Sequence, residues 1–168
     1  MCDFCEQQTM KETEIIIAEK LFPNFNNIKY VDWAISLMEK GYENENLYIL
    51  AGLDNDDTDT REKYFTKAIR ELNIEIEQDS SMLIESYAIH IATQVTNKKI
   101  TVFKGLEIFE KIISITDYDK KYMRFFELDE DLYLLTCKNS DRIKYPMNQV
   151  EKESFIYDEF KKFLEENI

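Results

Sequence analysis

Glycine and proline are scarce, three and two residues in a chain of 168. Sandwiches and barrels need turn residues at most strand ends, so this scarcity predicts helices. No apolar run approaches the ~18 residues that a membrane-spanning helix requires. The stretch before Ile15, MCDFCEQQTMKETE, has neither the basic nor the apolar segment of a secretory leader. Histidine and tryptophan occur once each, as His90 and Trp33, and the three cysteines are Cys2, Cys5 and Cys137. An odd number of cysteines without a leader predicts reduced thiols and a soluble, cytoplasmic protein. Positive charge is the remaining shortage: 21 Lys and Arg stand against 34 Asp and Glu, a net charge of −13. That balance disfavours direct binding to nucleic acid or to an anionic membrane, and favours a basic partner or plain solubility.

What is present is enough for a core. Hydrophobic residues make up 44% of the chain and include 11 Phe and 10 Tyr, which argues against global disorder. Apolar periodicity predicts helices at about 10–21, 28–40, 45–52, 60–73, 80–97, 101–115 and 148–166, with residues 1–9 frayed. In the second, Val31, Ala34, Ile35 and Met38 follow the helical spacing, and Gly41 fits a left-handed C-cap. Leu83, Ile84, Tyr87, Ala88, Ile91, Ala92 and Val95 form the clearest stripe. Residues 118–138 read as one helix or two, and LYLLTC within them equally as a short strand. The expectation is an all-α single-domain bundle of about six to eight helices over 1–168, mostly antiparallel hairpins.

Acids gather in particular segments. Residues 41–60 hold Glu43, Glu45, Asp54, Asp56, Asp57 and Asp59 and no Lys or Arg, and Glu127, Asp129, Glu130 and Asp131 form a second cluster. The stretch GLDNDDTDTREKYF is not an EF-hand loop. Counting from Asp54, Thr58 stands at the fifth position, Asp59 replaces the turn glycine and Phe65 replaces the bidentate glutamate. Asp59 and Glu62 have the spacing of a capping box. Asp54 and Asp56 are left as a partner-facing edge. Cys2 and Cys5 are half a zinc knuckle, and only His90 and Cys137 could complete it, so neither metal nor cofactor is expected. The sequence contains no nucleophile elbow and no phosphate loop. Trp33 reads as a core anchor, whereas Tyr42, beside Glu43 and Glu45, reads as an exposed aromatic of a contact surface.

The segment YVDWAISLMEKGYENENLYILAGLD (30–54) resembles a helix–Gly–short-helix pattern in uncharacterised small bacterial all-helical proteins, some of them associated with toxin–immunity (conflict-type) loci. The likeness runs through Trp33, Ala34, Leu37, Gly41, Leu47, Leu50, Ala51, Gly52 and Leu53, with a one-residue departure between Leu37 and Gly41. It continues more loosely over 87–109 and covers about half the chain. It implies a helical fold and carries no catalytic residues. Together these features lead to the expectation of a non-catalytic immunity-type inhibitor that neutralises a basic toxin such as a nuclease. Its contacts would be Tyr42, Glu43, Glu45, Asp54, Asp56 and Asp57, then Glu127, Asp129, Glu130 and Asp131. The partner would be a basic protein, a toxin or a host nucleic-acid enzyme. The alternatives are a phage-type DNA mimic and a small-ligand-binding or enzymatic helical domain.

Overall fold

The structure, a computed structural model, describes residues 3–55, 57–137, 142–145 and 147–168. Among the described residues the helices are α1 (Asp3–Lys20), α2 (Lys29–Glu39), α3 (Glu45–Ala51), α4 (Thr58–Glu71), α5 (Ser80–Thr96), α6 (Val102–Ile115), α7 (Met123–Thr136) and α8 (Lys152–Asn167). The all-α class is as expected, and no strand occurs among the described residues. LYLLTC belongs to α7, apart from its last residue, Cys137, which caps it. α1 begins seven residues before its expected start. The packing divides into two compact units, 1–83 and 84–168, with the boundary inside α5.

In the first unit, Tyr30, Trp33, Ala34, Leu37, Leu47, Leu50, Phe65 and Ala68 form one core. Tyr30 stacks on Phe65 at 4.3 Å between ring centroids, and Trp33 meets the same ring edge-on at 4.8 Å. These aromatics set the register of α2. Ile35 and Met38, expected on its buried face, are exposed because the helix turns to bury the larger Tyr30 and Trp33. The Trp33 indole donates to Thr13 Oγ1 of α1 at 3.0 Å, so the anchor carries no unsatisfied donor. Burial pushes the Tyr30 hydroxyl up to about 12, with Glu62 adding to the shift.

α2 ends in a Schellman motif. Gly41 has φ +86°, its N–H donates to Met38 O, and Tyr42 N–H donates to Leu37 O. Nothing would crowd a Cβ at residue 41, so the left-handed backbone alone calls for glycine there. The same turn carries Tyr42 back onto the core.

In the second unit, the expected stripe of α5 from Ile84 to Val95 is buried. α6 lies close enough to α5 and α8 that a Cβ on Gly105 would stand 2.6 Å from Val95 Cγ2 and 2.8 Å from Phe160 Cζ. Phe109, Phe125, Phe160 and Phe163 form an aromatic cluster, with Phe109 to Phe125 at 4.2 Å and Phe125 to Phe160 at 4.7 Å. Among the described residues, no helix is long and apolar enough to cross a membrane.

Candidate functional site

α3 has only seven residues, too few to hold a helix by itself in water. Its order comes from packing against α2 and α4 and from side-chain bonds to α4 at both ends. At its N-terminal end, Asn44 caps the helix by accepting from Asn46 N–H (2.8 Å) and Leu47 N–H (3.3 Å). The side-chain amides of Asn44 and Asn46 in turn donate to Glu71 at 2.8 and 2.7 Å. Those two bonds hold the Glu71 carboxyl below its ordinary range. Past its C-terminal end, Arg61 of α4 donates to the carbonyls of Leu53 (2.7 Å) and Asp54 (2.6 Å) and to Asn27 Oδ1. Arg61 is only 8% exposed. A buried guanidinium is tolerated here because carbonyl dipoles at a helix end point negative charge toward it. Arg61 and Glu71 lie about 15 Å apart along α4 by helical rise, and α3 is clamped antiparallel between them.

The clamp leaves one face of α3 open. Asn46, Leu47 and Leu50 are buried, whereas Glu45 and Tyr48 are exposed and share the opposite face at i, i+3 spacing. Tyr48 is 50% exposed. Glu43 and Glu45 are exposed at one end of α3, and Asp54 and Asp57 at the other. Among the described residues none of these four acids forms an ion pair. The lysines of the unit that do pair, Lys20, Lys29 and Lys40, meet Glu62, Glu19 and Glu12 instead. Residues 1–83 hold 8 Lys and Arg against 18 Asp and Glu, a net −10, whereas residues 84–168 hold 13 against 16, a net −3.

Several residues lie elsewhere than their sequence predicts. Tyr42 is 8% exposed and packs in the core, since it follows the left-handed residue of the Schellman turn; Tyr48 is the exposed aromatic. Asp56 lies outside the described residues. The N-cap of α4 is Asp57, two residues before the expected Asp59, and it accepts from Thr60 N–H at 2.8 Å. That bond, with the Thr60 hydroxyl, lowers the Asp57 carboxyl.

The second acidic cluster separates into two pairs. Asp129 and Glu130 are exposed. Asp131, 3% exposed, accepts from Lys144 N–H (3.0 Å) and Tyr145 N–H (2.8 Å), which folds the segment 142–145 back onto α7. Glu127, half-buried, accepts from the Lys144 ammonium and the Tyr145 hydroxyl. The Lys144 bond leads in holding the Glu127 carboxyl below its usual range. On the same face of α7, Arg124 stacks under the Tyr145 ring at 3.9 Å and donates through Nε to Glu159 of α8. Glu159 is 4% exposed and accepts from Lys162 at 2.7 Å with its other oxygen. Burial pushes its carboxyl up, but the bonds from Arg124 and Lys162 outweigh that and keep it low.

No protein-family model, curated protein or solved structure matches this chain. Among the described residues, no group of three or more His, Cys, Asp or Glu could hold a metal ion. Cys2 and the side chain of Cys5, half of the conceivable zinc set, lie outside what is described. His90 is half-buried on α5, and Cys137 is exposed at the end of α7.

Proposed function

We propose that this chain is a non-catalytic acidic binding protein that docks a basic protein on the open face of α3. The observation that carries the reading is the set of exposed acids, Glu43 and Glu45 at one end of α3 and Asp54 and Asp57 at the other, without ion pairs among the described residues, together with the exposed Tyr48. A basic surface gains from such acids in encounter rate and in orientation, and an exposed tyrosine supplies the apolar anchor that charge lacks. The partner class that fits best is a toxin with a phosphate-binding active site, such as a nuclease. Such sites are lined with bases, and an acidic rim bearing one aromatic occludes them without chemistry. The resemblance of residues 30–54 to proteins of toxin–immunity loci supports the same reading.

The test is recovery of partners from a lysate of the source organism, at low and high salt and after nuclease treatment, with wild type and with Glu45→Lys/Asp54→Lys. Both substituted residues are exposed and unpaired, so the helices should be retained, as circular dichroism will report. A basic protein held at low salt, insensitive to nuclease and absent from the double variant is the expected result. Equal recovery by the variant removes the α3 face from consideration.

A further inference from the structure

The second unit contains a cleft of about 330 Å³ between α7 and α8. Lys121, Arg124 and Lys162 line it with Glu159 and Glu166, over a floor of Phe125 and Phe163. Its volume is at the small end of ligand sites. Its lining sets three cations against two carboxylates, and a third carboxylate, Glu85, pairs with Lys121.

The arginine is held in an uncommon way. A structural Arg–carboxylate pair is often a two-bond fork, but Glu159 takes a single bond from Arg124, through Nε, and gives its other oxygen to Lys162. The guanidinium has five N–H donors; Glu159 takes one, and the Tyr145 side chain also interacts with it. The Tyr145 ring covers one face of the guanidinium and fixes its plane. Tyr145 is itself anchored at both ends, by its N–H on Asp131 and its hydroxyl on Glu127. Two nearly buried carboxylates and one half-buried one therefore orient a single guanidinium at the edge of a cleft. This is the supporting shell that a preorganised binding residue needs. Lys121, paired with Glu85 at 2.6 Å, and Lys162 each keep further N–H donors beyond those pairs.

We propose that this cleft binds a small phosphate-type oxyanion, with two oxygens on the terminal nitrogens of Arg124 and the remaining charge met by Lys121 and Lys162. The planar fork of arginine matches a phosphoryl group and an ammonium does not, so Arg124→Lys keeps the charge and loses the fit. Glu166 has no partner among the described residues and adds an opposing charge at the rim, so its neutralisation should favour the anion.

The experiment is a titration of the full chain with inorganic phosphate and with glycerol phosphate, followed by the NMR signals of the arginine side chains and the α7–α8 amides. Chloride at matched ionic strength is the control. Expected is saturable binding at the cleft that chloride does not reproduce, weakened about tenfold or more in Arg124→Lys and tightened several-fold in Glu166→Gln. Tighter glycerol phosphate assigns a phosphate ester, and tighter inorganic phosphate assigns the free ion. The site is overturned by shifts that never saturate, by shifts that chloride reproduces, or by affinity unchanged in Glu166→Gln, a variant that leaves the contacts of Arg124 intact.

Discussion

Residues 1–83 carry 18 acids and bury a base, Arg61; residues 84–168 are nearly balanced and bury two acids, Asp131 and Glu159. The sign of a buried charge here follows the backbone or side-chain groups that need a partner, and is independent of the sign shown to solvent. Arg61 answers carbonyls past the end of α3, where dipoles present negative ends. Asp131 answers the N–H groups of a returning loop. Glu159 answers two cations. The surface sign is the one a partner meets, so the two sets of charges are separable by mutation.

The largest expected effect is at Arg61. Arg61→Met leaves two carbonyls without their donor and should cost the first unit about 3 kcal/mol. Trp33 is the single tryptophan and lies in that core, so its fluorescence follows this unit in urea. Amide exchange in α6–α8 then shows whether the second unit keeps its protection. Equal loss in both would mean that the units unfold together and do not differ in stability. Gly105→Ala should act on the other side. Contacts of 2.6 and 2.8 Å would force Val95 or Phe160 to move, and the net cost should be about 1–2 kcal/mol after the gain in helix propensity. It should be read by exchange in α6, with Trp33 unchanged.

A smaller effect sharpens the contrast in pH. The Glu127 and Glu159 carboxyls lie below their ordinary range in the folded protein. Their contribution is therefore complete above the unfolded value of ~4.3 and is lost as pH falls through the lower folded values. Amide protection of α7 and α8 should decline on acidification in wild type. Glu159→Gln should start lower at neutral pH and decline less steeply.

The helices with continuous apolar stripes were legible in the sequence, and α5 is the plainest because Ile84 to Val95 repeats without interruption. α7 was not, because acids at 127, 129, 130 and 131 obscure its period. The signal was nonetheless present. Arg61 stands in helical register with Phe65, Ala68 and Leu72, and Glu159 with Ile156 and Phe163, so each charge falls on an apolar stripe. A charged residue in that position marks a buried polar anchor. Tyr42 was misplaced for a different reason: a left-handed residue at Gly41 reverses the chain, and periodicity carries no information past such a reversal. The exposed acids near α3 were found from composition alone. Which of them share a face with Tyr48 depends on the clamp from α4, which spans up to 27 residues of sequence.

That clamp has a kinetic consequence. A peptide loop that must fold on its partner loses conformational freedom at the moment of contact, and its complex forms no faster than that ordering allows. α3 has already been ordered, by Arg61 at one end and Glu71 at the other. A basic protein arriving at Glu45, Tyr48 and Asp54 would find a rigid target, and capture would run at the speed of charge-steered diffusion. Added salt would then slow the association step while leaving the lifetime of the complex nearly constant.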